Sequence, residues 1–373
     1  VGIGFMYPQG YFHQNISAEG WQEEIYTQLD FNEAPITPIK ARTQPDYCGP
    51  VGLIELGDRP LYLGVCQVRL GRVSIYLLCC NLEENAQQDQ QLCARLYTVD
   101  QEQRLQQEIV LGIGGVRVLR ALGIKPSVWH ANEGHSAFMM LERVREEVEK
   151  GATFTEALRR VQATTVFTTH TPIPAGHDIF PISLVDKYLY NYWGSLGISR
   201  ETFLKLGQLD GTNDQTFNMT VFALKIADHR NAVSQIHGKV TRRMWHGLWP
   251  DAKEDEVPIS HITNGIHVLT WVAPEMSRLY EKHLGQDVSK RYDDVNLIKS
   301  VLNIPDEELW AVRQILKRKL MGAMVERARQ CSAERECKAR QILAMGSLLD
   351  PGALTIGFVR RFTEYKRPAL IFQ

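Results

Sequence analysis

Eight residues near the carboxy end carry four cations, the chain's most concentrated candidate for binding an anion. They are Arg360, Arg361, Lys366 and Arg367, and they follow an apolar stretch, residues 354–359, whose pattern predicts a β-strand. Ligands of open α/β sheets bind at the carboxyl ends of the strands, where the next helix adds its positive end. Arginine makes forked contacts to phosphate oxygens, and lysine supplies a mobile charge. The sequence therefore predicts a phosphate site here.

Three other predicted strands end in side chains that suit hydrogen bonds to hydroxyl groups. In chain order, Asn132, Glu133 and His135 follow a strand at 126–130, His170 and then Asp178 follow a strand at 164–168, and Asn264 follows a strand at 259–263. Parallel strands would bring these ends to one edge of a sheet. The combination predicts a polar cleft that recognises a hydroxylated ligand.

Each of these residues also has a purely structural explanation. His170 before Thr-Pro is compatible with a capped turn, and Asn264 before glycine with a common turn dipeptide. Glu133 is compatible with a cap on the helix that begins near Ser136. The case for a binding site therefore depends on the strand ends occurring together.

The elements that must position these residues alternate between strand and helix. Beyond the strands above, helices are predicted at 109–122, 136–150, 153–162 (with Thr155 near its start as a cap), 218–245 and 274–284. This alternation predicts an α/β fold with a doubly wound parallel sheet. The pattern indicates one lobe at 1–345, made of a β-rich part at 1–102, an α/β part at 103–304 and linking helices at 305–345. Residues 353–373 would begin a second lobe.

Composition narrows the class of protein. Hydrophobic residues make up 44% of the 373 residues and charged residues 23%, and the formal net charge is −1. Such a charge gives no overall field for nucleic acid or an acidic membrane, and no apolar run approaches the ~20 residues that span a bilayer. Seven cysteines without a CxxC pair predict buried, reduced thiols in a cytoplasmic protein.

Three familiar kinds of site find no support in the spacing of residues. The histidines of HANEGH are five apart with a glycine between them, so they do not share a helix face as zinc ligands of HExxH do. In the run 112–117, Arg117 stands where a dinucleotide fingerprint needs its third glycine, and we expect this run to bend the chain near a helix instead. No GxSxG elbow supports a serine nucleophile. We therefore expect neither a metal nor NAD.

Five motifs in order make the chain resemble the α-glucan phosphorylases, the glycogen, starch and maltodextrin phosphorylase family, and most closely their shorter bacterial branch. The matching segments are YPQGYFHQNISAEGWQEE, WHANEGHSAF, TVFTTHTPIPAGHDIFP, ITNGIHVLTW and IGFVRRFTEYKRP. The resemblance implies a two-lobed GT-B glycosyltransferase fold. It also implies reversible transfer of a terminal α-1,4-linked glucosyl unit to inorganic phosphate, giving glucose 1-phosphate with retention. Pyridoxal phosphate would act there through its phosphate group.

The resemblance also implies roles for single residues. His170 matches the histidine beside the reacting sugar, whose carbonyl stabilises oxocarbenium charge and whose ring meets the 6-hydroxyl, which Asn264 also holds. The residues that match the polar loop of the sugar pocket are Asn132, Glu133 and His135, with Asp178 near it. Arg361 and Lys366 match the cations that hold the substrate phosphate. Arg360 stands beside the cofactor phosphate, where many longer members carry lysine.

The resemblance is incomplete at both ends. The family's glycine-rich loop would precede Val1, and no residue matches the lysine that binds pyridoxal phosphate as a Schiff base. We therefore expect a fragment that is inactive by itself. Family members are commonly dimers, so a homodimer is a possible assembly.

Two other functions remain open from the sequence. A glycogen or starch synthase using a sugar nucleotide would also need a basic phosphate turn and a polar cleft. A non-catalytic glucan-binding module could stack sugars on exposed aromatic rings, for which Trp193, Trp245 and Trp249 are the candidates, although a core position is expected for at least two of them.

Overall fold

The chain folds into two compact units in the computed structural model. The first unit comprises Val1–Asn264 and the second Gly265–Gln373. The structure describes residues 1–17, 19–31, 33–39, 48–96, 98, 100–209, 211, 215–335, 350–360 and 366–372. Within that part of the chain, no helix is both long and apolar enough to cross a membrane.

A five-stranded mixed sheet occupies the first part of the first unit. Its strands are β1 (Gly2–Phe5), β4 (Thr37–Pro38), β5 (Pro50–Leu56), β6 (Arg59–Leu70) and β7 (Val73–Cys79), while β2 (His13–Ile16) and β3 (Gln22–Ile25) form a separate hairpin. The sheet order is β1-β7-β6, with β4 and β5 both paired to β6. Only the β1–β7 pair is parallel among these pairings.

A second sheet of four parallel strands carries most of the predicted site residues. Its strands are β8 (Trp129–Asn132), β9 (Thr165–Thr169), β12 (His229–Ala232) and β13 (Ser260–His261), and β10 (Ile179–Pro181) pairs separately with β11 (Thr216–Asn218). The order is β8-β9-β12-β13. The α/β class predicted from the alternating pattern is confirmed, with mixed as well as parallel pairing.

Helices connect these strands and make up the second unit. The first unit contains α1 (Gln87–Gln90), α2 (Gln101–Ile109), α3 (Gly115–Ala121), α4 (Phe138–Glu149), α5 (Phe154–Ala163), α6 (Ile182–Leu189), α7 (Tyr192–Ser195), α8 (Arg200–Leu206), α9 (Met219–Ile226) and α10 (Gln235–Met244). The second contains α11 (Val268–Trp271), α12 (Pro274–Leu284), α13 (Val295–Lys299) and α14 (Asp306–Arg335). Short 3₁₀ turns lie at Gly134–Ser136, Pro174–Gly176, His246–Leu248, Val288–Lys290, Ser300–Asn303 and Pro368–Phe372, and a π turn lies at Val110–Gly114.

The single helix predicted over 218–245 is wrong. The segment contains α9, the strand β12 and α10, each helix with its own cap. Asn218 accepts hydrogen bonds from the backbone N–H groups of Thr220 and Val221, and Ser234 accepts one from His237. The strand was not predicted because its sequence, HRNA, has no apolar alternation and only its last two residues are buried.

The cap predicted for α5 is also misplaced by two residues. Thr153, not Thr155, stands at the amino end, where its hydroxyl accepts from the backbone N–H of Glu156 and Glu156 in turn accepts from the backbone N–H of Thr153. This reciprocal pair is a capping box, and the T-x-x-E spacing that marks it is visible in the sequence.

The strand predicted at 354–359 is not formed in this structure. Leu354, Ile356 and Val359 are 87%, 73% and 82% exposed, and none of the described strands pairs with the segment. A strand depends on a neighbour that accepts its backbone hydrogen bonds, so an apolar pattern alone does not produce one.

The glycines of the run 112–117, expected to bend the chain near a helix, lie instead in the helical backbone of the π turn and α3, where they allow close packing. A Cβ atom on Gly112 would lie 2.6 Å from Phe138 Cβ, and one on Gly114 would lie 2.5 Å from Leu63 Cδ1. The π turn Val110–Gly114 therefore touches both α4 and the first sheet, which a larger side chain would prevent. The run has a packing role.

A cluster of phenylalanines anchors α4, the helix that follows the loop containing Glu133 and His135. Phe138 opens α4 with no exposed surface, and its ring lies 5.9 Å from that of Phe222 in α9. Phe217 lies 5.6 Å from Phe222 and 5.7 Å from Phe203. Burying each ring contributes about 1.5–3 kcal/mol. This core anchors α4, and hence the loop before it.

The cysteines in the first sheet region behave as expected from their apolar surroundings. Cys48, Cys66, Cys80 and Cys93 are buried free thiols, and Cys79 is half-buried. Burial raises the pKa of the Cys79 thiol to about 12, which keeps it protonated and unreactive near neutral pH.

Candidate functional site

The carboxyl edge of the four-stranded sheet brings two of the predicted site segments side by side. Asn132 ends β8 in register with Thr168, and β9 ends one residue later at Thr169, immediately before His170. The backbone N–H of Glu133 extends the pairing by donating to the Thr168 carbonyl at 2.9 Å. Asn132, Glu133 and His170 therefore meet because neighbouring parallel strands end together.

A direct hydrogen bond orients the imidazole of His170. Its Nε2 lies 2.7 Å from Oδ1 of Asn132, and both side chains are exposed. Since an amide oxygen only accepts, Nε2 carries the proton in this arrangement. In the neutral ring, Nδ1 is then an acceptor, so this imidazole can take a hydrogen bond from a ligand hydroxyl.

Glu133 ties the two strand ends together and departs from ordinary backbone geometry. One carboxylate oxygen accepts from the backbone N–H of His170 and, at 3.1 Å, from the hydroxyl of Thr171. Its φ of 70° and ψ of 169° fall in a region that is almost exclusive to glycine. The side chain therefore holds the loop after β9, and although Glu133 is the N-cap residue of the turn that follows, it makes no side-chain hydrogen bond to that turn.

His135 and Asp178 belong to a second, partly buried group of titratable side chains, together with Arg104 and Glu108. The guanidinium of Arg104 lies 3.1 Å from Oδ2 of Asp178, and its Nε lies 3.1 Å from Oε1 of Glu108. Burial lowers the pKa of His135 to about 4, assisted by the positive charge of Arg104. His135 is thus neutral at physiological pH and can exchange hydrogen bonds with a neutral ligand.

Sequence reasoning missed Arg104 and Glu108. Their spacing of four residues places the two side chains on the same face of α2. Nothing in the local sequence indicates that Asp178, 74 residues away, binds the guanidinium of Arg104.

Asn264 lies just after β13, the strand at the opposite end of the same sheet from β8. Its side chain is exposed, and its backbone N–H donates to the carbonyl of Val233 at 3.3 Å. The structure therefore places Asn264 at the carboxyl edge but two strands from His170, because β12 lies between β9 and β13.

A polar chain that was not predicted crosses the sheet beneath this edge. His130 Nε2 lies 2.7 Å from the hydroxyl of Thr168, which donates to Oδ1 of Asn231 at 2.9 Å. His130 and His135 thus have different partners. Within the described residues, no three His, Cys, Asp or Glu side chains are grouped as metal ligands.

The cationic segment, residues 360–367, belongs to the second unit. Arg360 is exposed, and its Nη1 donates to the carbonyl of Val359 at 2.7 Å. Lys366 is half-buried, and Arg367 has a φ of 49°. Arg361 lies outside the described residues.

The tryptophans proposed for sugar stacking lie mostly against the core. Trp245 is 7% exposed and packs edge-on against His177, with ring centres 5.0 Å apart. Trp193 and Trp249 are half-buried beside the main core, and Arg230 lies over the ring of Trp249. Trp245 therefore has a core position, and Trp193 and Trp249 are partly in the core.

The polar groups at this edge are of the kinds that form hydrogen bonds with hydroxyl groups. The edge offers an amide, a carboxylate and two imidazoles, all supported by backbone at strand ends, and one imidazole is held neutral by burial. Side chains fixed in this way lose little freedom when a ligand binds.

Comparison with known proteins gives a consistent set of relatives. The chain is 40% identical over 378 residues to a maltodextrin phosphorylase of Thermococcus litoralis, 36% over 372 to a glycogen phosphorylase of Aquifex aeolicus and 36% over 388 to a glycogen phosphorylase of Mycobacterium tuberculosis. Each match covers all of this chain and, respectively, 43%, 53% and 44% of the relative. The chain thus spans about half the length of these relatives. No protein-family model matches the chain.

Proposed function

This chain belongs to the glycogen and maltodextrin phosphorylase family, and we propose that the full-length protein is an α-1,4-glucan phosphorylase. It would transfer the terminal glucosyl unit of glycogen or maltodextrin to inorganic phosphate and release glucose 1-phosphate. The observation that carries this proposal is the hydrogen-bonded group of His170, Asn132 and Glu133 at the carboxyl edge of the parallel sheet. It supports hydroxyl recognition in a chain whose relatives, named for phosphorolysis, match it from end to end.

In this proposal the edge of the sheet binds the sugar. His170 and Asn264 hold the 6-hydroxyl, and the His170 carbonyl faces the oxocarbenium charge that develops as the glycosidic bond breaks. Asn132, Glu133 and His135 line the pocket, with Asp178 beside it. Hydrogen bonds directed at these hydroxyls would favour glucose over ligands that lack them.

The cationic segment would hold phosphate. Arg361 and Lys366 are proposed for the substrate phosphate and Arg360 for the phosphate of pyridoxal phosphate. Two phosphate groups in proximity repel each other, and fixed cations that neutralise them are a large source of transition-state stabilisation.

Pyridoxal phosphate, when bound, would supply a second phosphate group beside the reacting one. The residues described here fit it only in part. The exposed guanidinium of Arg360 suits a phosphate, but the neighbouring apolar side chains of Leu354, Ile356 and Val359 are exposed and form no cavity for a pyridine ring in the described part of the segment. We therefore derive no catalytic step through the cofactor.

The wider properties of the full-length protein follow from the same proposal. They are a GT-B fold with lobes at 1–345 and from 353 onward, a cytoplasmic location and possible assembly as a homodimer. Glucan and phosphate would be its ligands, and neither nucleic acid nor a membrane would be a partner.

Phosphorolysis can be tested directly with the full-length protein. Incubation with maltodextrin and inorganic phosphate, without nucleotide, should release glucose 1-phosphate, and omission of phosphate should abolish the product. Glucosyl transfer that needs a sugar nucleotide instead would overturn the proposal in favour of a synthase. Glucan binding without either activity would favour a binding module.

A further inference from the structure

A buried glutamate behind the sugar-side residues has no role in the function proposed so far. Glu108 lies in the last turn of α2 with 1% of its surface exposed. Its Oε1 lies 3.1 Å from the Nε of Arg104, whose Nη2 also lies 3.1 Å from Oδ2 of Asp178. Two carboxyl groups therefore share one guanidinium.

The guanidinium is directed at only one of the two. Arg104 donates from Nε and Nη2 to the two oxygens of Asp178, at 3.3 and 3.1 Å. Among the described residues, neither oxygen of Glu108 accepts a hydrogen bond. An ionised carboxylate in this position would be buried, would accept no hydrogen bond, and would share the charge of Arg104 with a second carboxylate, which is an unfavourable arrangement.

The surroundings favour the neutral acid at Glu108. Burial raises the pKa of Glu108 well above its ordinary value, the charge of Asp178 raises it further, and Arg104 opposes both. The other titratable groups near this set are His135, which is held neutral, and Tyr7, which faces Arg104. None of these adds a positive charge that would favour ionisation of Glu108.

We propose that Glu108 is a neutral carboxylic acid whose proton bridges to Asp178, and that this bridge positions Asp178 and Arg104 behind the sugar pocket. The inference rests on the proposed function for its role in glucan binding. The protonation state of Glu108 is inferred independently of the proposed function. Glu108 is thus a positioning residue, because it acts on the ligand through Asp178.

Infrared spectroscopy tests the protonation without any ligand. At neutral pH the protein should show the C=O stretch of a protonated carboxylic acid, and Glu108→Gln should lack it. Glu102→Gln, a change on the same helix at a carboxylate paired with Lys187, is the matched control and should keep the band. An identical spectrum for the parent and Glu108→Gln would overturn the proposal, whatever the protein's activity.

The pH dependence of stability gives an independent readout. Since the folded pKa of Glu108 is raised, the folded state binds more protons than the unfolded state above pH ~4.5, and stability falls as pH rises through this window. Glu108→Gln removes that loss, so its melting temperature should increase relative to the parent from pH 5 to pH 8. A difference that stays constant with pH would contradict a neutral acid.

Glucan binding tests the positioning role. Glutamine is neutral and can donate to Asp178, so Glu108→Gln should keep the maltoheptaose affinity within about twofold, whereas Glu108→Ala should weaken it about tenfold. Equal weakening by both variants would contradict positioning through a donated hydrogen bond. If the parent itself binds no maltoheptaose, the proposed function fails while the infrared and stability results still decide the state of Glu108.

Discussion

The two candidate binding regions of this chain differ in how their residues are held. His170, Asn132 and Glu133 stand at the ends of adjacent parallel strands and are joined by hydrogen bonds between the strand ends. The cationic segment follows residues 354–359, in which Leu354, Ile356 and Val359 are exposed and which pair with no described strand. One region is organised by its own sheet, and the other has charge without that support.

This difference indicates what each region contributes. Recognition of a neutral sugar depends on the direction of hydrogen bonds, and so on side chains fixed before the ligand arrives. Attraction of phosphate depends mainly on charge, which acts over about 10 Å at ordinary ionic strength and tolerates less exact placement. We therefore expect substitutions in the two regions to affect different substrates.

The largest effect is expected from removing a phosphate-binding cation. Arg361→Ala in the full-length protein should lower kcat/KM for phosphate on the order of 10³-fold, because it removes a fixed charge opposite the phosphate. Initial-rate kinetics with varied phosphate would measure this. Maltoheptaose affinity should not change, and Arg72→Ala, at an exposed hairpin turn, should behave as the parent. A comparable loss of glucan affinity would remove the distinction between the regions.

The next largest effect is expected at the sugar side. His170→Ala should lower kcat on the order of 10²-fold, since it removes a hydrogen-bonding group from the reacting glucose. Its KM for phosphate should stay within about twofold if the regions act separately. The control is His13→Ala, an exposed histidine in the β2–β3 hairpin. Full activity in His170→Ala would exclude this histidine from the site.

Glu133 offers a test of how the sugar side is held together. Glu133→Ala removes the carboxylate that binds the His170 N–H but keeps the strained backbone, and should cost about 1–3 kcal/mol in the free energy of unfolding, measured with urea. Glu133→Gly loses the same hydrogen bonds but relieves the strain at a φ of 70° and a ψ of 169°, so it should cost about 1–3 kcal/mol less than Glu133→Ala. Equal costs would show that this backbone conformation is not imposed on the loop.

The smallest effect concerns pH. His135 has a folded pKa of about 4, below the unfolded value near 6.5, so the unfolded state binds more protons between these values and stability rises with pH across that window. His135→Gln should flatten this rise, as followed by thermal melting at pH 4.5 to 6.5. His13→Gln should leave it unchanged. An unaltered slope in His135→Gln would contradict burial of a neutral imidazole.

The sheet and its carboxyl edge could be predicted because they depend on local pattern. β8 (WHAN) and β9 (TVFTT) overlap the strands predicted at 126–130 and 164–168, and parallel pairing then brings Asn132, Glu133 and His170 together. The resemblance to phosphorylases, carried by five ordered motifs, is consistent with the relatives found for the whole chain.

What could not be predicted depends on contacts between distant segments. β12 has a polar sequence and is a strand because β9 and β13 flank it. Residues 354–359 show the converse: their apolar pattern predicts a strand, but no partner strand lies beside them in the described residues. Glu108 looks like an ordinary helical glutamate until Asp178 is brought to it by the fold.

The most direct test of the central claim is maltoheptaose binding measured by calorimetry on the full-length protein. If the carboxyl edge of the parallel sheet binds the terminal glucose, the parent should bind, His170→Ala and Asn132→Ala should bind at least about tenfold more weakly, and Arg361→Ala should bind as the parent does. Unchanged affinity in both His170→Ala and Asn132→Ala would contradict the account.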